Sequence, residues 1–362
     1  MKTTIYSLLA AAACGMAFGQ TAYTTPVGYV TQTLPANSDS ILSLPVRKSA
    51  VAASAVSGAP DTTTIPGSAI LTMSGTPGYT VNAFQNTHYA KFTSGTDLGK
   101  YFVITANAAD TLTVNLNGAI LNAVSTDTLE VIKFWTLNEL FSPTASTTDP
   151  LTTGNAIVAS TSTLAAGRRT SLFVPDLTSP GSNLAPSATY YVHGGLWKKQ
   201  GQGNTDFGAT QLWPDIYFII RHPSTVTAAT TYTASGEVET KQFDIALRTQ
   251  AAIAQDNFIG LPRPVDITLN ALNLANTSAF LTSTSTLAAG RRDQIFVYDN
   301  AVISQNKSPA ATYYYHAGLW KKQGQGNTDF GTDVIKAGAG VIIRKYQSGT
   351  GATANWDNNP TY

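Results

Sequence analysis

Residues 160–169 read STSTLAAGRR and residues 195–208 read GLWKKQGQGNTDFG, and both strings return letter for letter 123 positions later, at 283–292 and 318–331. Aligned at that offset without a gap, 160–221 and 283–344 share 37 of 62 positions. Agreement over that length marks an internal duplication, and a duplication is read as one folding unit used twice.

Weaker echoes carry the unit toward the N-terminus. Thr136-Leu137-Asn138 with Leu140 matches Thr268-Leu269-Asn270 with Leu272, and ILSLP at 41–45 resembles FIGLP at 258–262. Pro45 and Thr136 stand 91 positions apart, whereas Pro262 and Thr268 stand 6 apart. Subtraction places an insertion of about 85 residues in the first copy, at roughly 47–131. The expected organisation is a leader over 1–19, a first β module over 20–225 carrying that inserted β subdomain, and a second β module over 226–362.

The strand signals are short and separated by turn-forming residues. QIFVY at 294–298, TYYYH at 312–316, LWKK at 319–322 and VIIR at 341–344 are rich in β-branched and aromatic residues, and each has a counterpart in the first copy. In the insertion, YFVIT at 101–105, LTVNL at 112–116 and TLEVI at 128–132 read the same way. Many short strands with Gly-rich connections imply an all-β protein, two related β-sandwich or barrel-like modules with a small β domain inserted in the first. Helical signals are confined to 136–141, 267–274 and 243–255. Gly194-Gly195 fits a two-residue hairpin turn, which needs positive φ; the second copy has Ala317-Gly318 there, where Ala predicts a looser turn or mild strain.

Composition narrows the class. Charged residues make up 12% of the 362 positions, about half the usual share, so Thr, Ser, Asn and Gly must dominate the surface. Lys2, an apolar run over 5–13 and Ala17-Phe18-Gly19 before Gln20 read as a secretion leader. The apolar run is shorter than the roughly 20 residues that cross a bilayer, and no membrane span is expected. The single cysteine, Cys14, lies within the leader, so a chain starting at Gln20 has no disulfide; lipidation at Cys14 is the alternative processing. Charge imbalances between the segments are small, which argues against a nucleic-acid partner.

The candidate site follows the duplication. Trp197 and Trp320, with Tyr190, Tyr313, Lys198 and Lys321, could form stacking platforms for sugar rings; the competing reading makes each Trp a core plug on a hairpin. A calcium loop fails on register, because two residues separate Gly203 from Asp206 where the repeat needs one. His193 and His316 end Tyr-rich strands without a second His at metal-ligand spacing, and no nucleophile or zinc motif appears. No metal or cofactor is expected. The recurring basic residues Arg168, Arg169, Arg221, Arg291, Arg292 and Arg344 read as a solvated surface or as a mild attraction between copies.

One ordered series of residues resembles a known family. Pro26-Val27-Gly28-Tyr29-Val30, Leu44-Pro45, Trp135-Thr136-Leu137 with Leu140-Phe141, Thr189-Tyr190-Tyr191, Trp197-Lys198, Asp256-Asn257, Gly260-Leu261-Pro262-Arg263-Pro264 and Ile342-Ile343-Arg344 together resemble an uncharacterised exported family known mainly from verrucomicrobial bacteria. The resemblance implies export and a β architecture and supplies no catalytic residues. The expectation is therefore a non-enzymatic structural or adhesive protein, secreted, extracellular or on the cell surface, with the periplasm also open. Its partners would be copies of itself or extracellular polysaccharide. A carbohydrate-binding module and a secreted glycan-active enzyme are the alternatives.

Overall fold

The computed structural model describes residues 25–144, 156–275 and 277–360; the leader and Cys14 lie outside the described residues. Two five-stranded antiparallel sheets dominate. The first runs in the order Leu196–Lys199, Ala188–His193, Ser171–Val174, Phe218–Arg221, Asp39–Leu42. The second has the same order built from the second copy: Leu319–Lys322, Ala311–His316, Gln294–Val297, Gly340–Lys345, Gln255–Gly260. The ILSLP and FIGLP echoes thus mark equivalent edge strands, each far in sequence from the sheet it completes.

The central strands explain why their sequences read as unbroken apolar runs. In Phe218–Arg221, Phe218 and Ile220 point into the first module's core, which also holds Leu42, Leu172 and Trp197, while Ile219 points the other way. Val341 and Ile343 likewise enter the second core with Ile295 and Trp320, and Ile342 faces outward from it. Ile219 and Ile342 meet Ile41, Tyr217, Phe258 and Phe296 in a third apolar layer between the two sheets. A strand buried on both faces has no polar side to present, so its alternation disappears.

A two-stranded ribbon closes the far side of each core. Val27–Leu34 pairs with Thr230–Glu237, placing Leu34, Tyr232 and Ala234 in the first core. Phe243–Arg248 pairs with Thr353–Asn358, placing Phe243, Ile245, Leu247 and Trp356 in the second. Two expectations are corrected here. The first module extends through Glu237 rather than ending at 225, because Tyr232 is fully buried among its residues. The segment 243–248 is a strand rather than a helix, because Phe243, Ile245 and Leu247 alternate with a period of two and the C-terminal strand needs a partner. Among the described residues helix is limited to Leu137–Leu140, whose Thr136–Glu139 capping box ties its first turn, and to 3-10 turns that include Asn270–Leu272.

The insertion forms a six-stranded antiparallel sheet from Ala50–Ala55 to Thr128–Lys133 with its own core around Phe92, Ile104 and Val131. It is anchored by charge and by aromatic packing. Arg47 meets Glu130, Glu237 and Glu239, and Lys91 Nζ lies 2.8 Å from Glu239, all in buried surroundings. Removing one member would strand the others' charges out of water, which costs about 3–5 kcal/mol in such sites. Tyr101 from the insertion packs against Trp213 of the first module and Phe243 of the second. Among the described residues no helix is long and apolar enough to cross a membrane.

Both hairpins adopt the same turn despite their different residues. Gly194 and Gly195 have φ of 60° and 74°, and Ala317 and Gly318 have 51° and 81°. Strand pairing from Tyr313 to Lys322 fixes the turn length, so Ala317 is held in the left-handed region at a cost of about 1–2 kcal/mol. Ala317→Gly is predicted to raise unfolding free energy by about 0.5–1 kcal/mol, after allowance for the looser unfolded chain, and Gly194→Ala to lower it by a similar amount. Urea denaturation of the two variants checks both signs.

Candidate binding groove between the modules

The six residues singled out by the duplication lie inside the modules. Trp197 is 0% exposed and Trp320 1%, each a core plug on its hairpin. Trp197 donates its indole N–H to the Phe141 carbonyl at 3.0 Å, and Trp320 packs against Phe280 and Tyr315. Tyr190 and Tyr313 are also buried, the latter donating its hydroxyl to Asp333 at 2.6 Å. Lys198 and Lys321 are buried too, and each ammonium donates to the carbonyl of its loop asparagine, Asn204 or Asn327, at 2.6 Å.

A sugar platform is therefore not presented by these rings as they stand. Trp→Ala in such a core costs about 3–5 kcal/mol, so lost glycan binding in that variant would report unfolding rather than a lost contact.

The rest of the repeated strings is spent on loop geometry. A Cβ on Gly208 or Gly331 would fall within 2.5 Å of the side chain of Asn138 or Asn270, which explains the glycine closing GQGNTDFG and ties each loop to the Thr-Leu-Asn echo. His193 and His316 place Nδ1 at 3.0 and 2.9 Å from the carbonyls of Ser160 and Ser283, holding the STST turn against its strand. Arg168 and Arg291 stack over Tyr191 and Tyr314 at 4.9 and 5.1 Å. Only parts of these loops, Leu164 to Ala166 and Leu287 to Ala289 among them, stand exposed.

Arg221 and Arg344 are not the solvated residues that composition implied. Each clamps an aspartate within its own module: Arg221 Nε and Nη2 reach the two oxygens of Asp39 at 2.6 Å, and Arg344 reaches those of Asp256 at 2.6 and 2.9 Å. The opposite module completes each clasp. Asn306 donates its backbone N–H to Asp39 at 2.7 Å and accepts from Arg221 at 2.6 Å; Asn183 does the same for Asp256 and Arg344 at 2.7 and 2.9 Å. Asn183 and Asn306 both sit at positive φ, a conformation asparagine tolerates better than most residues. Charge-assisted, bidentate geometry makes these strong contacts, and their reciprocity is that of an isologous interface contained in one chain.

Beside the Asp39 clasp, the seam between the modules opens into a groove of about 410 Å³. Its symmetry is broken by Tyr217, whose counterpart is Gly340. A Cβ on Gly340 would lie 2.4 Å from the Tyr217 Cβ, so the tyrosine occupies space that only glycine leaves free, and its ring meets Phe258 edge-on at 5.5 Å. Phe173 and Tyr298 line the groove from opposite modules, with Thr189, Gln200 and Lys307 as its polar groups. Burial pushes the Tyr298 hydroxyl up to about 12 and that of Tyr217 well above the ordinary tyrosine value, so both stay protonated donors at neutral pH. Sequence reading missed this place because its residues come from distant segments. A signal existed nonetheless: across the diverged stretch 177–187, only Asn183 and Pro186 match their counterparts.

One carboxylate near the seam is electrostatically costly. Asp215 is buried, which raises it to about 6, while the hydrogen bond donated by Tyr101 at 2.6 Å partly offsets that rise. The folded chain thus holds this proton over a range where the unfolded chain, near 4, has lost it, and stability falls as pH climbs through that window. Asp215→Asn keeps an acceptor for Tyr101 and removes the titration. The stability of the variant relative to the parent is predicted to rise by about 2 kcal/mol between pH 4.5 and pH 7, read from urea melts at the two pH values.

No protein-family model, curated protein or solved structure matches the chain, and the groove and clasps are read from their own geometry.

Proposed function

We propose that this chain is an exported structural or adhesive protein, secreted or held at the cell surface, that works by contact and not by catalysis. The resemblance to the verrucomicrobial exported family belongs to the same proposal. The observation that carries it is the pair of identical exposed tips. Leu164 and Leu287 are 74% and 73% exposed, each followed by two exposed alanines, in turns whose backbone angles at these leucines match within a degree. Neither core packing nor loop closure calls for a leucine at these positions. Two copies of one apolar point on a single body give a bivalent contact, in which the second engagement follows the first at high effective concentration.

The groove supports binding over hydrolysis. Asp39 is the carboxylate in its lining, and Arg221 and Asn306 already occupy both of its oxygens, whereas glycoside hydrolysis asks for two carboxylates across the scissile bond.

The test uses the chain from Gln20 onward. Sizing and electron microscopy at high concentration should show association, or labelled protein should bind cells or their isolated envelope. The double variant Leu164→Asp, Leu287→Asp should lose that behaviour at least tenfold with its melting temperature unchanged. A chain that stays monomeric at high concentration and binds neither cells nor envelope contradicts the proposal.

A further inference from the structure

We infer that the groove between the modules binds a short saccharide carrying a carboxylate. This rests on the adhesive reading of the chain and names a ligand that reading leaves open.

Besides the apolar exchange of Ile41 for Phe258, equivalent positions around the groove differ at three pairs, and each of these three changes adds capacity for such a ligand. Pro175 corresponds to Tyr298, Leu184 to Lys307, and Gly340 to Tyr217. One copy of each pair therefore supplies an aromatic hydroxyl or an ammonium where the other supplies an apolar group or nothing. The Tyr217 and Tyr298 rings pack in the apolar layer of the seam, but that packing and the clasps use neither their hydroxyls nor the Lys307 ammonium. The Tyr217 and Tyr298 hydroxyls make no hydrogen bond among the described residues and are not shut off from water, so both are open to a ligand. Lys307 donates to the carbonyls of Asp299 and Asn300 at 3.0 and 3.3 Å, which leaves one of its three N–H groups for a ligand.

Size and charge point the same way. About 410 Å³ falls in the range of small-ligand sites, and the mixture of aromatic walls with a few convergent polar groups suits a pyranose, which has apolar faces and a hydroxyl rim. Thr189 and Gln200 add a hydroxyl and an amide, which both donate and accept. Asp39 is already paired with Arg221, whereas Lys307 makes no ion pair within 4.0 Å among the described residues, although Asp39 and Asp299 lie near enough to attract it. A ligand carboxylate within hydrogen-bond reach of Lys307 would supply the direct ion pair it lacks, which favours an acidic sugar over a neutral one.

Titration calorimetry of the chain from Gln20, with digalacturonic acid and with cellobiose as the neutral arm, tests this directly. Digalacturonic acid should bind saturably and at least tenfold more tightly than cellobiose. Lys307→Leu, which installs the side chain of the corresponding position, should remove that preference, and Tyr298→Phe should weaken both ligands, each with an unchanged melting temperature. The Leu164→Asp, Leu287→Asp chain should bind both sugars normally, so loss of adhesion and loss of the groove ligand are separable. No saturable binding of either sugar, equal affinity for the two, or variants that bind like the parent would overturn the inference.

Discussion

The modules' arrangement depends on two strands that are covered on both faces. Phe218–Arg221 and Gly340–Lys345 each give one face to the core of their own module and the other to the opposite module. An apolar strand with no solvent side cannot be left uncovered, so the duplicated modules have to meet, and they meet sheet to sheet. The clasps then set the alignment. Asp39 and Asp256 are both 3% exposed, and such carboxylates are tolerated because an arginine from the same module and an asparagine from the other satisfy them. Close approach at the seam also needs small residues: a Cβ on Gly260 would press on Ser43 and on the Ile216 backbone, as one on Gly340 would on Tyr217.

A symmetric seam would treat its two sides alike, and this one does not. Tyr217 faces a glycine, Lys307 answers a leucine and Tyr298 a proline, and these exchanges fall around one opening rather than being scattered over the modules. Duplication supplies a stable interface first; divergence can then alter one side of it at little risk, because the clasps carry the alignment. The insertion adds a second asymmetry. It is bound to the first module through Arg47 and its carboxylates, and it reaches Phe243 of the second through Tyr101.

The fold was legible where side chains report their surroundings locally. Strings such as TYYYH and VIIR announce strands, Gly194-Gly195 announces a hairpin, and the offset of 123 announces two equivalent modules with an insertion between echoes. The burial of Trp197 and Trp320 could be weighed from strand habit, and the core-plug reading matches their position. What stayed hidden was anything decided between segments. Arg221 and Arg344 read as surface charges because their partners, Asp39 and Asp256, lie more than 80 residues away. Strand Phe243–Arg248 read as helical because Ala246 and Leu247 favour helices in isolation, whereas the pairing with Thr353–Asn358 decides the matter. The groove was invisible for the same reason, being assembled from both copies at once.

Four backbone hydrogen bonds cross the seam in two matching pairs: Asp39 to Ser304 with Asp256 to Gly181, and Ser43 to Gly338 with Gly260 to Asp215, at 2.8–2.9 Å. Amide hydrogen exchange at Asp39, Ser43, Asp256 and Gly260 reads the docking of the modules without any mutation. If the two copies form one body, these four amides exchange as slowly as those of the central strands. Exchange at the rate of exposed loops, with the strands themselves protected, would mean that the modules fold separately and that no shared seam exists.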